Sequence, residues 1–225
     1  MSTIRRELIN AAISRAWNLI DTNIHNDIHK QHEFMKQTVL ADESLTKDEK
    51  TEAIRSLTEK YDENKVFYNE GTKRICENCN KECLAMLYCE HCVRNYLKAK
   101  FSNWTSGNDV IDNLIQQCQI KLFRTDRIIE WIPYNNFQEI KYLTKGGCSE
   151  IYTATWIDGR YFEWDSKKQQ LVREWESRVQ YVVLKKLENV ENADQRWFEE
   201  VCNLISLFKE VKQFLLSLNI LKYFL

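Results

Sequence analysis

Residues 143–156 read LTKGGCSEIYTATW. Apolar and polar residues alternate on both sides of Gly146-Gly147, the pattern of two strands joined by a short loop. A loop that covers a phosphate chain needs glycines where backbone must come closest to the anion. Gly146 and Gly147 meet that need, but Thr144 and Ser149 stand where a full loop of this kind has two further glycines. Taken alone, the stretch is either a weakened nucleotide loop or an ordinary hairpin.

Residues further along choose between the two. Val182-Val183-Leu184-Lys185 is an apolar strand that ends in a lysine, the arrangement in which the lysine pairs with the α- and β-phosphates of ATP. Downstream, the segment Trp197-Phe198-Glu199-Glu200-Val201 puts Glu200 on an expected helix, at a sequence distance suited to an ion pair with Lys185. Loop, strand lysine and helix glutamate in that order carry more weight than the loop alone.

On these residues, the segment from Pro133 to Val201 resembles the N-terminal lobe of eukaryotic-type protein kinases, and KGGCSEIY looks like a tyrosine-kinase-like loop. The whole chain resembles a family of protein kinase-like proteins abundant in arbuscular mycorrhizal fungi, through CENCNKECLAMLYCEHC, NWTSGNDVIDNLIQ and EWIPYNNFQEIKYL. The resemblance implies ATP binding by Gly146, Gly147, Lys185 and Glu200, and a family activity of phosphorylating protein Ser, Thr or Tyr hydroxyls. Of the family's three loop glycines only the middle one is kept, at Gly146, and Val183 stands where a small alanine abuts the adenine. The HRD and DFG triplets that supply the catalytic aspartate and the Mg²⁺ ligands are absent. The only His-x-Asp triplet, His25-Asn26-Asp27, lies far upstream. The expectation is therefore a truncated, pseudokinase-like chain without phosphoryl transfer.

A second constellation lies upstream. In ICENCNKECLAMLYCEHC, Cys76 and Cys79 are separated by two residues, and so are Cys89 and Cys92. Such a gap lets both thiolates of one tight turn face the same ion, and two of them make the tetrahedral set that Zn²⁺ prefers. Cys83 and His91 are substitute ligands at this stage. Four protein ligands leave no open position, so the metal is expected to serve folding and not catalysis. The alternative to the kinase-like function is accordingly a zinc-stabilised protein-interaction module without enzymatic activity.

From Thr3 to about Gln37 apolar residues recur at helical spacing, which predicts one long helix with Thr3 as its cap. Thr46 and Glu49 have capping-box spacing and begin a second helix. His25, His29 and His32 share one face of the first; with no carboxylate or cysteine joining them, they read as a solvated polar face. Asn108 is expected to cap a short helix. Three strands are expected, at FQEIKYL, EIYTATW and RVQYVVLKKL, and Asp194 is expected to cap a further helix.

The fold class expected is α+β. It divides into a helical hairpin over 1–70, a four-cysteine zinc clip with its flank over 71–106, a short helix and linker over 107–132, a kinase N-lobe fragment over 133–201 and an amphipathic helical tail over 202–225. Thirty-two basic against 33 acidic residues leave a net charge of -1, which argues against a globally basic nucleic-acid binder. Lys73, Arg74, Arg94, Lys98 and Lys100, with Tyr96 and Trp104 among them, read as the solvated rim of the clip. Partners are then a nucleotide, or a protein docking on the hairpin or the lobe surface. No membrane span is expected, because Lys209, Glu210, Lys212 and Lys222 interrupt the most apolar stretch. The N-terminus lacks a secretory pattern and eight cysteines without one read as thiols, so the cytoplasm, or the nucleus, is the expected compartment.

Overall fold

The computed structural model describes residues 4–121, 125, 128–145, 149–173 and 179–187, apart from the side chains of Ser149 and of 185–187. The architecture is α+β, with five helices and small antiparallel sheets among the described residues. They fall into two compact units, with sequence ranges Met1–Val93 and Arg94–Leu225. The helices expected over 1–70 thus share a unit with the cysteine segment. Among the described residues no helix is long and apolar enough to cross a membrane.

The first unit opens with α1 (Arg6–Asn18), α2 (Ile28–Ala41) and α3 (Lys47–Tyr68). The single helix expected over 3–37 is thus two helices. The apolar period persists across residues 19–27, but polar side chains there take the backbone N–H groups that a continuous helix would use. Asp21 Oδ1 accepts from Asn23 N–H, and the Asp27 side chain accepts from Lys30 N–H as the N-cap of α2. The cap expected at Thr3 lies outside the described residues, and α1 begins after Arg5 without a side-chain cap. The hairpin expectation survives as α2–α3, to which α1 adds a third helix.

Helix α3 begins at the capping box foreseen from sequence. Glu49 N–H donates to Thr46 Oγ1 at 3.3 Å, and Thr46 N–H donates to Glu49 Oε2 at 2.9 Å. Arg5 also binds Glu49, Nε to Oε1 and Nη2 to Oε2, both at 2.7 Å, which ties the start of α1 to the start of α3. Ile9, Ala12, Ala16, Met35, Val39, Leu45, Ala53 and Leu57 form the core between the three helices. The alanines let the helices approach closely while the larger residues fill the space between them.

The three histidines part ways: His29 is exposed as expected and His25 half-buried, whereas His32 leaves the solvated face. His32 is buried and stacks on the Tyr61 ring, with 4.3 Å between centroids. His29 Nδ1 lies 3.0 Å from the Tyr61 hydroxyl, and His25 packs against Phe34. Burial holds His32 below its ordinary pKa, so it sits in the unit as a neutral aromatic.

After α3 come two short antiparallel strands, β1 (Arg74–Ile75) and β2 (Glu82–Cys83), and then α4 (Glu90–Lys98). In the second unit, Asn108 caps α5 (Asp109–Ile120) by accepting the N–H groups of Val110 and Ile111. Three antiparallel strands follow in the spatial order β3 (Phe137–Lys145), β4 (Ser149–Trp156), β7 (Gln180–Leu187). These match the three strands expected. Their alternation sends Phe137, Ala154, Trp156, Val182 and Leu184 into one core with Ile132. Two register shifts bend β3 against β4.

The hairpin β5 (Tyr161–Asp165) and β6 (Gln170–Arg173) was not foreseen. Arg173 anchors it, binding Glu130 Oε2 at 2.6 Å and lying 4.0 Å from the Tyr161 ring centroid. The helix expected from Asp194 and the amphipathic tail lie outside the described residues.

Candidate metal centre

The clip is built from two different turns. Cys76 and Cys79 lie on the turn between β1 and β2, where Asn80 N–H donates to the Cys76 carbonyl and Cys76 N–H to that of Lys81, both at 2.9 Å. Asn80 adopts φ 53° there, a left-handed conformation that asparagine tolerates better than most residues. Cys89 and Cys92 lie at the start of α4, where free N–H groups and the helix dipole favour thiolate over thiol. Each pair is thus set by local backbone, and the tertiary fold brings one to the other.

The four Sγ atoms all lie within 4.8 Å of one another. Cys76 Sγ is 3.7 Å from Cys92 Sγ, and Cys79 Sγ is 3.7 Å from Cys89 Sγ. A tetrahedron with zinc–sulfur bonds of about 2.3 Å has edges of about 3.8 Å. Two of the six sulfur–sulfur separations match that edge, and all lie within 4.8 Å, close enough for one ion to gather the set. Cys76, Cys89 and Cys92 are buried and Cys79 partly so, and all four are free thiols.

The electrostatics point the same way. The backbone N–H of Cys79, helped by that of Asn78, pulls the Cys76 thiol down to about 7. Burial pushes the Cys89 and Cys92 thiols up, although Asn78 Nδ2 donates to Cys92 Sγ at 3.4 Å. One thiolate forms readily, whereas four crowded thiolates need a cation among them. A thiolate set of this kind favours Zn²⁺ and other soft ions, and a site closed by four protein ligands supports structure.

The two substitute ligands are placed elsewhere. His91 is partly exposed, and its Nε2 lies 3.0 Å from the Glu82 carbonyl oxygen. Cys83 is buried outside the four-sulfur set, in a group with Cys89 and Glu90 whose ligand atoms also lie within 4.8 Å of one another. Burial raises its thiol pKa.

Sequence inspection missed the residues that hold the clip. Arg74 donates through Nε to the Ala85 carbonyl and through Nη2 to that of Tyr88, both at 2.7 Å. Arg74 is exposed, as expected of a rim residue, yet its guanidinium also braces the clip. Lys73 pairs with Glu82 at 3.1 Å, Lys100 lies over the Tyr96 ring, and Trp104 stacks on Trp131. Glu90 accepts Leu84 N–H at 2.8 Å, and Asp62 of α3 binds the backbone of Met86 and Leu87. Spacing carries no trace of the Arg74, Glu90 and Asp62 contacts, because each joins a charged residue to backbone that any sequence would present.

Of the residues expected to meet ATP, Gly146, Gly147 and Glu200 lie outside the described residues. The backbone of Lys185 is described: it lies in β7 and pairs with Ile151 of β4. Ile151 is two residues beyond Ser149, where β4 begins. The chain matches no protein-family model, no curated protein and no solved structure.

Proposed function

We propose that the second unit is a protein kinase-like nucleotide-binding sheet, carried on a chain whose first unit is stabilised by zinc. The observation that carries the nucleotide reading is the order β3-β4-β7 together with the pairing of Lys185 and Ile151. Residues 146–148 join β3 to β4, and a lysine well over thirty positions later returns to the third rung of the β4–β7 ladder, two rungs past Ser149. At about 3.3 Å per residue, two rungs are roughly 7 Å. A lysine brought back to that distance from the first strand residue after a glycine loop is the arrangement by which ATP phosphates are held.

Gly146, Gly147, Lys185 and Glu200 are the proposed ATP contacts. The 225 residues carry no HRD or DFG aspartate, so what is proposed for them is binding of nucleotide without phosphoryl transfer. ATP titration monitored by calorimetry should show saturable binding, and Lys185→Ala should weaken it at least about tenfold, as expected when a charge-assisted phosphate contact is lost. An absence of binding at millimolar ATP would sink the nucleotide reading.

A second reading, a zinc-stabilised protein-interaction module, is favoured by the close grouping of the four cysteine sulfurs. The clip also presents Ile75, Met86 and Leu87 to solvent. This module needs no nucleotide, so a chain that binds zinc but not ATP decides in its favour.

A further inference from the structure

Residues 84–88 connect the two cysteine pairs and have no regular secondary structure. Side chains nonetheless hold five of their backbone polar groups. Glu90 takes Leu84 N–H, and Arg74 takes the carbonyls of Ala85 and Tyr88. Asp62 takes Met86 N–H on both carboxylate oxygens at 2.8 Å and Leu87 N–H at 2.9 Å. Glu90 and Arg74 belong to the clip itself, whereas Asp62 belongs to α3 and reaches across 24 and 25 positions of sequence.

Asp62 is fully buried, and so is Lys65, whose Nζ lies 3.6 Å from Asp62 Oδ1. A buried carboxylate is tolerated only while its donors stay in place. Those donors sit on a connection that runs into Cys89 at one end and into Cys83 on β2 at the other. Its path is therefore fixed by where the cysteine pairs are held. If they drift apart, Met86 and Leu87 withdraw their N–H groups, and the Asp62 carboxyl is left inside α3 with Lys65 as its remaining partner at this site.

We infer that Asp62 links metal occupancy of the four-cysteine centre to helix α3. Metal then stabilises the helices, and an intact α3 tightens the metal by the same factor, because such coupling is reciprocal. The inference rests on the cysteines holding a metal, and it adds that the clip and the helices answer to it as one body. Of the three side chains that shape 84–88, Asp62 is the one that carries the effect out of the clip.

The experiment uses the full chain, loaded with one zinc and after zinc removal by a chelator. Hydrogen exchange reports the α3 amides between Thr58 and Val66, and competition with a chromogenic chelator reports zinc affinity. In the native sequence, zinc removal should speed exchange of those amides at least about tenfold, the scale of losing charge-assisted hydrogen bonds. Asp62→Asn should still take up zinc but bind it about tenfold or more weakly, and its α3 exchange should respond little to zinc. Unchanged α3 exchange on zinc removal from the native chain overturns the linkage, and so does native zinc affinity in Asp62→Asn. A chain that takes up no zinc overturns the metal centre itself, a different failure. The native-chain comparison stands without the variant, so poor folding of Asp62→Asn leaves the test intact.

Discussion

Replacing Lys65 with methionine puts the buried pair of the first unit to a quantitative test. Lys65 is 1% exposed and Asp62 0%. The lysine Nζ lies 3.6 Å from Asp62 Oδ1 and 4.6 Å from the centre of the Tyr61 ring. Methionine fills much of the space of the aliphatic stem, so the substitution removes charge more than volume. It leaves Asp62, whose pKa burial already raises, with three N–H contacts and without its neighbouring cation, so the carboxyl must hold its charge unpaired or take up a proton. Breaking a buried pair by deleting one partner costs about 3–5 kcal/mol. At roughly 4–8 °C per kcal/mol for a unit of this size, even 3 kcal/mol lowers the melting temperature by roughly 12–24 °C. The assay is far-UV circular dichroism of the zinc-loaded chain, since α1–α3 hold most of the helix among the described residues. Adding Asp62→Asn to Lys65→Met removes the uncompensated charge, so the double variant should be less destabilised than the sum of the two single changes. A Lys65→Met melting temperature within about 3 °C of the native value, under 1 kcal/mol on the same scale, would refute the reasoning.

Further outcomes follow from the same geometry. Purified chain should hold one zinc; Cys92→Ser should lose it, whereas Cys83→Ser and His91→Ala should keep it, since neither residue belongs to the four-sulfur set. Elemental analysis decides this, and zinc lost from Cys83→Ser would reassign the ligands. Acid should destabilise the first unit through Glu49 and Asp42. The guanidinium of Arg5 and the backbone N–H of Thr46 hold the Glu49 carboxyl well below its usual range, and Ser44 with Arg15 hold Asp42 down to about 2. Both are depressed on folding, so the unfolded chain binds more protons. Their contribution is whole above about pH 4.5, the ordinary glutamate range, and is lost as the pH falls toward 2. In metal-free protein, Glu49→Gln should flatten that acid slope in urea denaturation, and an unchanged slope would count against the Glu49 contact.

The sequence by itself determined whatever depends on neighbours within about four positions. Thr46 and Glu49 announce the start of α3 because a capping box closes within one turn, and Asn108 does the same for α5. The cysteine pairs are equally local, since a gap of two residues orients both thiols of one turn. Alternation sufficed to place β3, β4 and β7, because each buries one face. What failed in the sequence was the helical period across residues 19–27. Apolar spacing continues there, and the competition of Asp21 and Asp27 for backbone N–H groups is too short-ranged to disturb it. The hairpin β5–β6 also escaped, since its anchor Arg173 finds Glu130 only after folding. Which four of the six candidate ligands make the centre was likewise a tertiary decision. Cys76 meets Cys92 across 16 positions, while Cys83, nearer in sequence, is turned to a different group. Asp62 on Met86 and Leu87, and His32 on Tyr61, belong to the same class. A buried charge or ring is satisfied by whatever donor or face the packing delivers, and packing joins residues that no spacing connects.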